Sequence, residues 1–271
     1  IYPIMVSGML MMIASNDFVT IMVGLEVSSL GLYALVGYID PNRLSLEGAV
    51  KYLILGSFAA ALLLFGIALL YVHTGSLKIT DLSANPAIDV RWLHLGIVLV
   101  LVGFGFKLAL APFHGWTPDV YESSPTAMTA FMATAFKVTV LIVLFRFVSY
   151  VQLYSAQWTK FFMLVASVSI LLGNIMALVQ GSIKRMLAYS SIAHSGYMVL
   201  GFSVADRLTS AQQSMTFYLV GYIFSSLMAF AVLMWLERER SSNLHLEDIA
   251  GLAKEHPWAA GALTVALISF A

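Results

Sequence analysis

An all-α bundle of membrane-spanning helices is the fold class this sequence predicts, on three observations. Hydrophobic residues make up 60% of the 271 positions and charged residues only 10%, against roughly 45–50% and about 25% in soluble domains. The apolar residues fall in long unbroken runs near the ~20 residues that a helix needs to cross a bilayer. The short alternating segments of a β-barrel are missing from those runs. Mean hydropathy is +0.89. Fourteen Lys and Arg balance fourteen Asp and Glu, so no basic surplus exists to neutralise a phosphate backbone and nucleic acid is not an expected partner. The sequence has no Cys, which excludes disulfides, thiolate metal sites and thiol nucleophiles.

Nine spans follow in order, near residues 1–15, 17–39, 47–72, 91–114, 125–149, 158–180, 185–204, 211–236 and 257–271. The first and last look truncated, because the chain starts at Ile1 without a Met and stops at Ala271 inside an apolar run. The expectation is one integral membrane domain over 1–271, cut from a longer protein. Turn chemistry supplies the joints. Asp40-Pro41-Asn42 follows the second span, and Ser123-Ser124-Pro125 precedes the fifth, with Ser124 as the expected N-cap and Pro125 at the first helical position. The sizeable polar connection is 237–256, with Glu237, Arg238, Glu239 and Arg240.

Orientation rests on Lys and Arg. On the side of residue 1 fall Arg43, Lys184, Arg185, Arg238, Arg240 and Lys254; on the other fall Lys78, Arg91, Lys160 and Arg207. That slight excess puts the 115–124 turn and the 237–256 loop in the cytoplasm. A faint internal repeat adds organisation. Tyr33-Ala-Leu-Val-Gly37-Tyr38 matches Tyr197-Met-Val-Leu-Gly201-Phe202 at an offset of 164, and Tyr52, Leu53 and Phe58 match Tyr218, Leu219 and Phe224 at 166. Five spans separate the copies, and an odd number inverts one copy in the membrane, as in inverted-repeat transporters. Chance likeness between Leu/Val/Gly-rich helices is the alternative.

Three ionisable groups stand where a bilayer should forbid them: Glu26, Lys107 and Lys137, each near mid-span. A central charge costs about 2.5–3.5 kcal/mol on insertion scales, so such groups face protein or internal water. Their chemistry is proton transfer. Desolvation disfavours an ammonium and a nearby carboxylate restores it, so moving the pair apart or together loads or releases a proton; Arg would stay charged. Lys107 and Lys137 are the expected carriers, with Glu26 tuning Lys107; a structural ion pair is the alternative. Pro112 has no N–H, so the carbonyl of Leu108 loses its helical partner, and Pro118 does the same to His114. A break there suits a hydrated or protein-lined cavity. His194, with Ser190 and Ser191 one turn before it, and His114 beside the break are further relay candidates; a polar cluster bonding a neighbouring helix is the other reading. Glu47 and Lys51 have the spacing of a local ion pair, Arg146 and Lys160 that of interfacial anchors, and Lys184-Arg185 that of a positive-inside anchor. Among polar residues deep in a span, Asn174 is the one of a type suited to Na⁺. No paired-His metal site or Gly-rich phosphate loop is present, so no bound cofactor or metal is expected.

The stretch from Gly103-Phe-Gly-Phe-Lys107-Leu-Ala-Leu-Ala-Pro112-Phe-His-Gly-Trp through Ser123-Ser-Pro-Thr to Ala133-Thr-Ala-Phe-Lys137 resembles the antiporter-like membrane-arm subunits of respiratory complex I, most closely the N type (subunit 2 in organelles). Gly24-Leu-Glu26, Leu32–Tyr38 and Gly181–His194 agree with it. The resemblance implies a fourteen-helix fold with two inverted five-helix repeats, each with a broken helix. It implies proton translocation driven by quinone reduction elsewhere in the complex, in a subunit with no redox centre of its own; NADH and quinone are used by other subunits. Glu26 would match the family's fifth-helix glutamate, Lys107 the lysine of the broken seventh helix and Lys137 that of the eighth. A further lysine would lie in the twelfth helix, beyond residue 271. Expected partners are other membrane-arm subunits and the lipid bilayer. The expected location is the bacterial inner membrane, or alternatively an energy-transducing organellar membrane. Related subunits occur in multisubunit Na⁺/H⁺ antiporters and membrane-bound hydrogenases, which are the alternative reading.

Overall fold

The computed structural model of the chain describes residues 1–38, 43–83, 90–151, 157–204, 209–240 and 244–270. The Asp40-Pro41-Asn42 turn and Arg207 lie outside them. The α-helices in chain order are α1 (Tyr2–Ala14), α2 (Phe18–Tyr38), α3 (Arg43–Thr74), α4 (Val90–Lys107), α5 (Thr117–Ser123), α6 (Thr126–Phe131), α7 (Lys137–Val151), α8 (Gln157–Ala177), α9 (Ile183–Phe202), α10 (Thr209–Glu239), α11 (Leu252–Glu255) and α12 (Pro257–Ser269). Among the described residues, five stretches are long and apolar enough to cross a membrane: 18–38, 43–74, 126–150, 158–177 and 213–239. Helices α1 and α12 are shorter apolar pieces. The all-helical class predicted from the apolar runs is the observed one.

Antiparallel neighbours pack most closely: α1 with α2, α3 with α4, and α8 with α9. Such contacts in lipid depend on small residues that let backbones approach. A Cβ on Gly24 would stand 2.5 Å from the Gly8 carbonyl oxygen, and one on Gly173 would stand 2.7 Å from the Ala193 nitrogen. Backbone cannot yield as a side chain can, so Gly173→Leu is expected to separate α8 from α9. The expected cost is at least about 1–3 kcal/mol, seen as a lowered melting temperature of the detergent-solubilised protein beside an exposed control such as Gly221→Ala.

Arg146 on α7 lies against the end of α1. Its guanidinium donates to the carbonyls of Met12, Ile13 and Ser15 and to Asn16 Oδ1, satisfying carbonyls that the helix leaves orphaned. The expected interfacial anchor is therefore a helix cap. Two proline expectations also change. Helix α6 is entered through Pro125, whose carbonyl accepts from Met128 and Thr129, while Ser124 Oγ pairs with Thr129 Oγ1 at 2.7 Å and caps no N–H. Pro118 sits in the first turn of α5, where its missing N–H costs nothing, and the His114 carbonyl accepts from Thr117 at 3.0 Å. The break thus belongs to Pro112 alone.

The internal repeat has a structural signature. Before α2 and after the α2–α3 pair, Asp17 and Lys78 form an isolated antiparallel bridge, with Phe18 donating to Leu77 at 2.8 Å and Ile79 to Asn16 at 2.9 Å. Around α9 and α10, Ser182 and His245 do the same, with Ile183 donating to Leu244 at 3.2 Å and Leu246 to Gly181 at 2.9 Å. A short 3₁₀ turn follows each bridge, at Ile79–Ser83 and Leu246–Ile249. The bridged helices match in length, 21 and 32 residues in the first pair and 20 and 31 in the second. An odd number of passages separates the bridges, so they close opposite ends of the bundle.

Candidate functional site: two buried lysines and a charged end

Helix α4 stops at Lys107. Beyond it, the N–H groups of Ala109 and Leu110 turn back to Phe106 and Gly105, and Ala109 takes a positive φ of 58°. For a residue with a Cβ this conformation costs roughly 1–2 kcal/mol. It persists because the surroundings hold the turn: the N–H of Ala111 donates to Ser169 Oγ at 3.0 Å and Trp116 Nε1 to the Phe106 carbonyl at 3.0 Å.

The break delivers the Lys107 ammonium to one face of α2. Lys107 is buried, and its Nζ donates to Ser29 Oγ at 2.7 Å and Tyr33 Oη at 3.0 Å. The rings of Tyr33, Phe106 and Tyr52 surround it at 5.3, 5.9 and 6.0 Å, close enough for cation–π attraction. Glu26 lies three residues before Ser29 on the same face. It is half-buried and forms no ion pair with Lys107; its Oε1 is enclosed without a protein partner. Ser29 and Tyr33 are site residues that sequence reasoning misses, although their +3 and +7 spacing from Glu26 carries the signal.

Lys137 follows a π-helical turn at Met132–Phe136 that interrupts the α6–α7 helix. Such turns are rare and concentrate at functional positions. The buried ammonium donates to the Ser191 carbonyl at 3.0 Å, to Ser195 Oγ at 3.0 Å and, in a short contact, to Ser191 Oγ. No carboxylate pairs with it among the described residues. Tyr222 Oη donates to Ser191 Oγ at 3.3 Å, and Tyr121 Oη stands 3.5 Å from the same oxygen.

The expected trio of Ser190, Ser191 and His194 is split. Ser191 and Ser195, four residues apart, face Lys137. Ser190 is half-buried and outside the cluster. His194 points elsewhere, with Nδ1 2.5 Å from Tyr218 Oη and its ring among Tyr197, Tyr222 and Phe270. His114 bonds neither lysine, and its Nδ1 is buried without a protein partner. Asn174 is exposed and donates back to the Ile170 carbonyl, so it faces away from both lysines. Among the described residues no group of three or more His, Cys, Asp or Glu could hold a metal ion.

Toward the end of the bundle that carries α5, charges pair in two clusters. Lys51 bridges Glu47 at 2.7 Å and Asp119 at 2.9 Å, and Arg185 bridges Asp119 at 2.8 Å and Glu122 at 3.0 Å. Beside them Lys184, buried, meets Glu237 at 3.2 Å and the Ser124 carbonyl at 3.1 Å, while Thr126 donates to Glu237 at 2.6–2.7 Å. The Lys184-Arg185 tract, expected as a positive-inside anchor, is paired with carboxylates of its own chain. Its charges turn inward and tie α9 to α5 and α10, because those helices place carboxylates within their reach. Partial burial works against the Asp119 charge, but hydrogen bonds from Lys51 and Arg185 outweigh it and hold the carboxyl below its ordinary range. A carboxyl held low contributes stability above its ordinary pKa and loses it as the pH falls through the depressed one. The melting temperature of wild type should exceed that of Asp119→Asn by a constant margin from about pH 7 to about pH 5. The margin should shrink below about pH 4.

Residues 15–271 match the family model described as NADH:quinone oxidoreductase/Mrp antiporter, transmembrane. NADH-quinone oxidoreductase subunit N 1 of Herpetosiphon aurantiacus is 42% identical over 282 aligned residues, covering 100% of this chain and 57% of that protein. A chain of the respiratory complex I structure from Thermus thermophilus is 38% identical with a TM-score of 0.83, covering 98% of this chain and 57% of that one. A chain of the Mrp complex from Dietzia is alike in fold, with a TM-score of 0.90 at 22% identity over 98% of this chain and 50% of that one. The chain spans a little over half the length of the relatives it matches in sequence. A broken helix, a π turn before a second lysine and an inverted pair of bridged helices thus accompany a family match over nearly the whole sequence, and the chain belongs to the NADH:quinone oxidoreductase/Mrp antiporter transmembrane family.

Proposed function

We propose that the chain is the proton-translocating part of a membrane-arm subunit of NADH:quinone oxidoreductase, closest to subunit N, in which Lys107 and Lys137 carry protons and Glu26 tunes Lys107. The observation that carries this reading is the pair of buried ammonium groups held by neutral hydroxyls rather than by carboxylates. A salt-bridged lysine is locked in its charged form, whereas one held by Ser and Tyr oxygens can release its proton, since a hydroxyl serves the neutral amine as donor as well as it serves the ammonium as acceptor. Electron transfer from NADH to quinone takes place in other subunits, and this chain contributes no redox centre. Its partners are the neighbouring membrane-arm subunits and the lipid, in a bacterial plasma membrane. His194, which bonds Tyr218, and His114, which bonds neither lysine, are secondary relay positions. Exchange of Na⁺ for H⁺ has less support, since the relatives at 38–42% identity are complex I subunits, the Mrp chain is 22% identical, and Asn174 faces outward.

The test compares the intact complex carrying Lys107→Ala with wild type in sealed vesicles, recording quinone-linked oxidation and proton uptake together and checking assembly on native gels. Loss of uptake per quinone reduced in an assembled complex is the expected result. Normal oxidation with normal uptake would make Lys107 a packing residue and overturn the reading.

A further inference from the structure

Helix α5, seven residues long, stands between the exposed end of the bundle and the Lys137 pocket. Its outer face carries Asp119 and Glu122, each with 33% of its side chain exposed. Tyr121 lies between them in sequence and is buried on the inner face. The Tyr121 hydroxyl stands 3.5 Å from Ser191 Oγ, which itself bonds Lys137. One short helix thus spans the distance from surface charge to lysine pocket. It packs against α3 and α9, and a glycine on α3 lets it come close: a Cβ at Gly48 would stand 3.1 Å from the Ser123 Cβ.

What holds α5 differs from what holds its surroundings. The segment leading into it takes the positive φ of Ala109, and His114 Nδ1 and Thr117 Oγ1 are enclosed there without a hydrogen-bond partner among the described residues. Strain and unmet hydrogen bonds of this kind collect where a structure switches. Further along α5, Asp119 is shared between Lys51 of α3 and Arg185 of α9, and Arg185 also takes Glu122. The side chains in these pairs are 28–43% exposed, and ion pairs in contact with water are weak. The neighbouring Lys184–Glu237 pair is 8% and 17% exposed and ties α9 to α10. Helix α5 is the loosely held piece of a firmly held frame.

We propose that α5 is a gate over Lys137, latched shut by the Asp119 carboxylate. When Lys51 and Arg185 release Asp119, α5 tilts about the Ala109 turn, Tyr121 leaves Ser191, and water reaches the lysine. A neutral Lys137 amine then takes one proton from a hydronium ion. One O–H bond breaks, one N–H bond forms, and a water molecule leaves. Asp119 is a positioning residue in this scheme, since it touches neither lysine, and the proposal rests on the lysine reading above.

The chain has no Cys of its own, which makes a cross-link readable. Gly48→Cys/Ser123→Cys brings two Cβ atoms near disulfide range, and oxidation would bolt α5 to α3. In the assembled complex in sealed vesicles, the oxidised pair is expected to lower proton uptake per quinone reduced as far as Lys137→Ala does. Dithiothreitol should restore it, and wild type given the same oxidant should not change. Wild-type uptake in the oxidised pair, beside an impaired Lys137→Ala, overturns the gate and leaves the lysine reading standing. Normal uptake in Lys137→Ala removes both. A second measurement needs no cross-link and decides alone if the paired variant fails to assemble. Ser195→Cys puts a thiol behind α5, and its modification by a small water-soluble methanethiosulfonate is read as a mass shift of this subunit. Adding Asp119→Asn, which keeps the shape and removes the charge, should raise the modification rate roughly tenfold, the scale of two weak ion pairs released together. An unchanged rate would show that Asp119 holds nothing shut and would overturn the gate.

Discussion

Lys137→Arg is expected to assemble normally and to lose roughly a hundredfold or more of its coupled proton uptake, the scale of a removed acid–base group. The substitution keeps the positive charge, so a role in packing or in binding a neighbouring subunit by charge would survive it. A proton carrier would not, because a guanidinium stays protonated in proteins. Lys137→Ala should be equally uncoupled. Proton uptake per quinone reduced in sealed vesicles decides the matter, and wild-type coupling in Lys137→Arg would remove Lys137 from the path.

Glu237→Ala is expected to cost about 3–5 kcal/mol, the penalty for stranding one partner of a buried pair. The Glu237 side chain is 17% exposed and that of Lys184 8%, so neither can turn to water to recover its solvation. The same change leaves the Thr126 hydroxyl at the start of α6 without its acceptor. The readouts are the melting temperature and the yield of assembled complex. The double variant Lys184→Met/Glu237→Leu should recover most of the loss, since an apolar pair of similar volume often replaces a buried ion pair at little cost. A single variant as stable as wild type would show that the pair holds nothing together.

The spans and the break could be read from the sequence because both follow from local chemistry. Run length sets the spans, and a proline deep in an apolar run frees a carbonyl. The two lysines were legible for the same reason, since a charge deep in an apolar run is a local contradiction. Their partners were not. Which hydroxyls meet Lys137 depends on the rotation of α9 against α7, and a shift of one residue separates Ser190 from Ser191. The π turn before Lys137 leaves no trace in Met-Ala-Thr-Ala-Phe, because its bonding is fixed by packing of the whole helix. Lys184 and Arg185 misled for a related reason. Position near a helix end suggests a headgroup contact, and only the fold places Glu237, Asp119 and Glu122 within reach.

The paired bridges at Asp17–Lys78 and Ser182–His245 have a consequence for how the chain enters a membrane. Two copies of one motif in opposite orientations must satisfy opposite leaflets with the same pattern of residues. A strong cationic bias at either end of that motif would suit one copy and misdirect the other. A unit of this kind is oriented by a small difference in Lys and Arg between its two ends, and here the slight excess falls on the side of residue 1.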